Sequence, residues 1–186
     1  MFVVRSAFIC VCLLLAGCAA MQEQPAPVAL VCKAFYLSGR VSVKYGAEAA
    51  SGTITWQHDA ASDDLLFSTP LGQGVARIVR RDSLASLTTA DQKVYQAADV
   101  ETLIEQVLGW RLPLVGLPDW VRGRADPGAQ AQSRLDSSQR LVELRQSGWQ
   151  VEFLDYKVDT GLPARLRLRR EDMEIRLVID EWRAAP

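Results

Sequence analysis

Alternation with a period of two is the feature that most constrains this chain. In "FYLSGRVSVKY", Phe35, Leu37, Val41, Val43 and Tyr45 fall on one side, and Tyr36, Ser38, Arg40, Ser42 and Lys44 on the other. Successive side chains of a strand point to opposite faces, so the pattern predicts a half-buried strand. "SGTITWQH" repeats it, with Ile54, Trp56 and His58 opposite Thr53, Thr55 and Gln57. Further strands are expected at 65–68, 75–80, 83–88, 93–96, 141–146, 149–156, 164–169 and 173–180. Ser147-Gly148 and Arg170-Glu171-Asp172 have hairpin-turn character. "ASDD" before Leu65 reads as a turn, and "GRADPGAQA" at 123–131 reads as a loop.

One helix interrupts the strands. In "ADVETLIEQVLG", Val100, Leu103, Ile104, Val107 and Leu108 recur at helical spacing and form one apolar stripe. Asp99 is the expected N-cap, Glu101 a favourable charge in the first turn, and Gly109 the expected left-handed terminator. A shorter helix is expected from Pro118, carrying Trp120 and Val121. About ten antiparallel strands are too many for a simple flat sheet. The expected architecture is mainly β with helices: a strongly curled antiparallel sheet, an unclosed β-barrel, with a helical lid over an apolar cavity. The alternating Arg165, Arg167 and Arg169 read as a solvated face paired to acidic neighbours rather than as an anion site.

The first segment fixes the compartment. "MFVVRSAFICVCLLLAGC" carries one charge, Arg5, ahead of an apolar run at 7–15. The run is shorter than the roughly 20 residues that span a bilayer, but it suits the apolar region of a secretory signal. A core helix would need a polar face and a cap, which the segment lacks. Leu15-Ala16-Gly17-Cys18 has the order of a bacterial lipobox. Small residues fit an extended backbone beside the cleavage point, and the Cys18 thiol can accept a diacylglyceryl group. An ordinary signal cleaved nearby is the alternative. The expected organisation is a signal peptide at 1–17, a lipidated Cys18 with a Gln-, Ala- and Pro-rich tether to residue 33, and one domain at 34–186. Ala20 stands where sorting rules place Asp for inner-membrane retention, so an outer-membrane destination is expected.

Composition excludes several function classes. Of four cysteines, Cys10 and Cys12 leave with the signal and Cys18 takes lipid, so Cys32 has no intramolecular partner. No disulfide framework or metal cluster is then expected. A formal net charge of −1 gives no nucleic-acid footprint. His58 is the sole histidine and has no G-x-S-x-G nucleophile signature near it. Gly72-Gln73-Gly74 lacks the third glycine of a dinucleotide fingerprint, because Arg77 occupies that place. No catalytic residue and no cofactor are therefore expected. Leu71 in "STPLGQG" sits between strands, where an apolar residue either packs back into the core or protrudes toward a bilayer.

The series "SGRVSV", "SGTITWQ", "STPLGQGVARI", "GWRLPLVGLPDWVRG", "QSGWQVEF" and "IRLVIDEW" resembles the LolB family, in the family's order from Leu37 to Trp182. The resemblance implies an unclosed β-barrel with a helical lid and a non-enzymatic role. The family accepts lipoproteins from the periplasmic carrier LolA and places them in the outer membrane. It further implies that Cys18 is the lipidated residue and Leu71 the protruding residue of membrane insertion. Candidate acyl-chain contacts are Trp56, Phe67, Leu103, Ile104, Val107, Leu108 and Trp149, all equally compatible with plain core. A monomer is expected, with LolA, lipoprotein acyl chains and the outer membrane as partners. The rival readings are a structural outer-membrane lipoprotein (an assembly scaffold or cell-wall binder) and a lipid hydrolase that would have to use His58.

Overall fold

A computed structural model describes residues 34–110 and 112–184. The expected signal peptide, Cys18, the tether and Cys32 lie outside the described residues. The elements run β1 (Phe35–Tyr45), β2 (Glu48–His58), β3 (Ser62–Ser68), β4 (Gly74–Arg81), β5 (Leu84–Thr89), β6 (Val94–Ala97), α1 (Val100–Leu108), α2 (Leu117–Trp120), β7 (Ala131–Leu135), β8 (Leu141–Gln146), β9 (Trp149–Tyr156), β10 (Pro163–Arg170) and β11 (Met173–Ala184).

The strands form one 11-stranded sheet in the order β6-β5-β4-β3-β2-β1-β11-β10-β9-β8-β7. Every neighbouring pair is antiparallel, and the first and last strands meet at its centre, with Val41 opposite Leu177. Eleven strands laid flat would be about 48 Å wide at the usual spacing. Yet Leu37, Trp56, Ile78, Leu87, Leu144, Val151, Leu166 and Ile179 share one buried cluster with α1 and α2. Only a strongly curled sheet brings them together. It remains unclosed, with β6 and β7 as its two edges.

Glycines at the central strands permit the curl. A Cβ at Gly39 would run into the Val178 carbonyl oxygen, and one at Gly52 into that of Ser68. Such close backbone approach marks a tight bend in a curved sheet. A register shift between Ser38 and Gly39 adds to it.

The expected helix forms as its end signals dictate. Asp99 is extended, and its carboxylate accepts from the backbone N–H groups of Glu101 and Thr102. Gly109 ends α1 at φ 78, and its N–H donates to the Glu105 carbonyl. Val100, Leu103 and Ile104 are buried, and α1 packs against β5 and β6 near the open edge. Ser147 and Gly148 both have positive φ, as a two-residue hairpin of the primed type requires.

The structure corrects three local readings. "ASDD" is not a turn throughout: β3 begins at Ser62, and the turn lies one step earlier, where the Asp59 carboxylate accepts from the N–H groups of Ala61 and Ser62. The loop read at 123–131 ends in a strand, β7, which brings the total to eleven. The turn after β1 is shorter than the small residues suggest, since β2 starts at Glu48.

Candidate functional site

The antiparallel order gives the curled sheet two ends. The start of β1 lies at one end, beside His58 and Ala184. The turn between β1 and β2, the loop between β3 and β4 and the turn between β10 and β11 lie at the other. That second end carries the site.

The loop between β3 and β4 is a tight turn closed at its base. Gly72 N–H donates to the Thr69 carbonyl at 2.8 Å, Thr69 N–H to the Gln73 carbonyl at 2.8 Å, and Gln73 N–H to Thr69 Oγ1 at 3.2 Å. Pro70 presets the second position of this turn, and Gly72 supplies φ 84 at the fourth. Leu71 between them is 91 % exposed. Its side chain points away from the core, so hydrophobic surface stands in solvent at the tip.

Beside the loop an apolar crevice of about 140 Å³ opens between sheet and lid. Val43, Phe67, Val75 and Ala76 form its sheet wall, and Leu108 and Trp110 close it from the lid. Phe67 and Trp110 meet edge to face across it, with ring centroids 6.3 Å apart. Pockets that enclose a small ligand measure roughly 300–1,000 Å³. In this conformation the crevice is too small to enclose such a ligand.

The candidate acyl contacts separate into groups. Phe67 and Leu108 line the crevice. Val107 is half-buried against the core beneath it. Trp56, Leu103, Ile104 and Trp149 are buried in the packed interior. Sequence reasoning missed Val43, Val75, Ala76 and above all Trp110. The signal for Trp110 was its place directly after Gly109, since the residue following a left-handed helix terminator commonly packs back on the helix end.

At the opposite end the inner face is polar. Asp63, 1 % exposed, accepts from Trp56 Nε1 at 2.9 Å and lies 2.6 Å from His58 Nδ1. Its second oxygen accepts from Arg80 Nε at 2.7 Å. Burial pushes the Asp63 carboxyl up, but His58 and the donors Trp56 and Arg80 outweigh it and hold the pKa below the usual range. The His58 ring packs against Phe35 and Trp56. His58 thus closes a structural network at a strand end. Elsewhere, Gln146 ties the lid segment to β8. Its Oε1 accepts from Trp120 Nε1 and Asp126 N–H, and its Nε2 donates to the carbonyls of Asp126 and Ala129.

Comparison with known proteins agrees with this architecture. Residues 33–182 match the family described as "Outer membrane lipoprotein LolB". The chain is 42% identical to the outer-membrane lipoprotein LolB of Thiobacillus denitrificans, over 92% of this chain and 93% of that protein. It is 37% identical to the protein of that name from Nitrosomonas europaea, over 96% and 92%. Among solved structures, a DUF1329 family protein from Desulfovibrio piger superposes with a TM-score of 0.54 at 8% identity, covering 84% of this chain and 87% of that one. A LolA superfamily protein from Nitrosomonas europaea gives 0.50 at 6% identity, covering 83% and 87%. These two show a shared fold. With a match over nearly the whole sheet and its lid, the chain belongs to the LolB family of outer-membrane lipoproteins.

Proposed function

We propose that this protein receives lipoproteins from the periplasmic carrier LolA and inserts them into the outer membrane, without a chemical step of its own. The observation that carries the reading is a fully projecting Leu71 at the same end as an apolar crevice under the lid. Each buried CH₂ contributes roughly 0.8 kcal/mol, so a sixteen-carbon chain resists exposure to water by on the order of 12 kcal/mol. A carrier and a receiver must pass such chains between apolar surfaces. Phe67, Leu108 and Trp110 form the first surface an incoming chain meets, and displacement of the lid extends it toward Leu103, Ile104 and Val107. Apolar packing without polar latches lets cargo leave again, down the affinity gradient into the bilayer. Leu71 enters the interface at that moment. Cys18, diacylglycerated on its thiol and then acylated on the amine that removal of residues 1–17 exposes, anchors the body beside the receiving membrane. The body acts as a monomer.

The test is transfer of a labelled lipoprotein from loaded carrier to liposomes. Leu71→Glu is expected to leave uptake from the carrier intact and to cut insertion at least tenfold. Unchanged insertion with unchanged uptake removes Leu71 from the mechanism. Absence of saturable binding of a fluorescent fatty-acyl probe removes the cavity.

A further inference from the structure

A second feature adjoins the Leu71 loop on the outer face of the sheet. Strands β1 and β2 carry small residues there, and a groove of about 440 Å³ runs between Pro70 on one side and Arg40, Arg176 and Val178 on the other. Its floor is Ser42, Ser51, Gly52 and Thr53. The register explains the depression: Ser42 lies opposite both Ser51 and Arg176, and Arg40 opposite both Thr53 and Val178. Ser42, Ser51 and Thr53 alternate with the inward Val43 and Ile54, so their hydroxyls face outward. None of these hydroxyls bonds to another described residue. The Pro70 ring is both a wall of this groove and the residue that sets Leu71 in place.

The charge around the groove is positive. Arg40 is matched by Asp180, through bonds of 3.1 and 2.8 Å. Arg176 donates to Glu174 at 2.6 Å, but Glu174 also serves Arg169. Glu152 in turn serves both Arg167 and Arg169. Two carboxylates therefore face three guanidiniums in that network. The guanidinium side chains of Arg40 and Arg176 are 65 % and 59 % exposed, so both can turn toward an anion.

We propose that this groove binds the phosphate of a glycerophospholipid headgroup when Leu71 enters the bilayer. The proposal rests on the reading of Leu71 as a membrane-contacting residue. Hydroxyl and guanidinium donors converging on one pocket are the donor set that a phosphodiester requires. The position follows from covalent adjacency: with Leu71 among the acyl chains, Pro70 and the groove behind it stand at headgroup depth. Leu71 supplies depth of entry, and the groove fixes the orientation of the body on the surface.

The experiment uses the otherwise complete chain carrying Cys18→Ala, so that its own lipid does not anchor it. Sedimentation compares vesicles of phosphatidylglycerol with vesicles of a phosphate-free galactolipid. The unaltered groove is expected to prefer the phospholipid. Arg40→Gln with Arg176→Gln is expected to weaken binding to phospholipid by roughly fivefold per guanidinium and to leave galactolipid binding unchanged. A control pair, Arg134→Gln with Arg145→Gln, removes equal charge on β7 and β8, about 14 Å or more across the sheet and beyond a Debye length. The control is expected to keep the preference. Equal losses from both pairs would overturn the site in favour of diffuse attraction, as would an unaltered preference in the groove variant. Free glycerol phosphate that abolishes the preference only at the groove supports the site. If it saturates the groove while vesicles show no preference, the ligand is a soluble phosphate and the headgroup assignment fails. Leu71→Glu separates the two ideas: it should weaken binding to both vesicle types, and its failure to do so removes the loop reading rather than the groove.

Discussion

Asp63 shows how much one inward-facing residue can decide. Its two oxygens receive Trp56 and His58 from β2 and Arg80 from β4, which stitches three strands at one end of the sheet. Removing the carboxylate leaves a largely buried guanidinium and an indole N–H without their acceptor. Asp63→Ala is expected to cost about 3 kcal/mol, read from urea denaturation with an unchanged m-value. The pH dependence has a definite sign. The folded pKa lies below the usual carboxylate value, so the group adds stability that is complete above its unfolded pKa of about 3.9 and is lost as pH falls through the folded value. Between about pH 5 and about pH 3 the unaltered protein should lose more stability than Asp63→Asn, which has no such proton to take up. A second residue tests the proposed path of the acyl chains. Trp110 closes the crevice from the lid, so a brominated fatty-acyl probe should quench tryptophan fluorescence, and Trp110→Phe should remove most of that quenching. Quenching that persists in the variant would place the chains elsewhere.

At the scale of elements, legibility followed the strength of the pattern on each face. The strands β1, β2, β9, β10 and β11 alternate between core and solvent, and their positions are readable for that reason. The lid helix was equally plain, because its stripe and both of its end signals agree. Asp99→Ala is expected to cost about 1 kcal/mol, measured as a lowered thermal midpoint, since it leaves the N–H groups of Glu101 and Thr102 to water. By contrast, all five residues of β7 are exposed, and "AQSRL" has no buried face to create an alternation. Its strand character comes only from pairing with β8, which is information held elsewhere in the chain. Asp63 failed for a related reason. Two adjacent aspartates resemble a turn until β2 and β4 supply partners on opposite faces, with Asp63 inward and Asp64 bound outward to Arg77. The crevice lay between these cases. Phe67 and Leu108 follow from inward stripes, whereas the part played by Val75, Ala76 and Trp110 depends on how far the sheet curls around the lid.

The whole molecule is polar in the sense of having two unlike ends. Residue 34 enters β1 at the end that holds Asp63, and Leu71 projects from the other. β3 carries the chain from the Asp63 end to the Leu71 loop, and its 7 residues span roughly 23 Å. For an anchor at Cys18 and the Leu71 loop to engage the same bilayer, the connecting chain must cover at least that distance. Residues 18–34, about 17 of them, reach at most roughly 56–61 Å when fully extended. That margin suffices for the body to swing its Leu71 end down to the membrane that holds its anchor. Deleting residues 21–31 leaves about six residues and a reach of roughly 20–22 Å, shorter than β3 itself. The deletion should leave uptake from the carrier unchanged, because neither the crevice nor the lid is touched. It should lower insertion into the bilayer several-fold, in a reconstituted transfer assay with the acylated protein. A Gly/Ser segment of equal length should restore insertion, because only reach is required of the tether. If the shortened protein inserts cargo at full rate, the two ends need not meet one membrane, and Leu71 must act on a surface other than the one that anchors the chain.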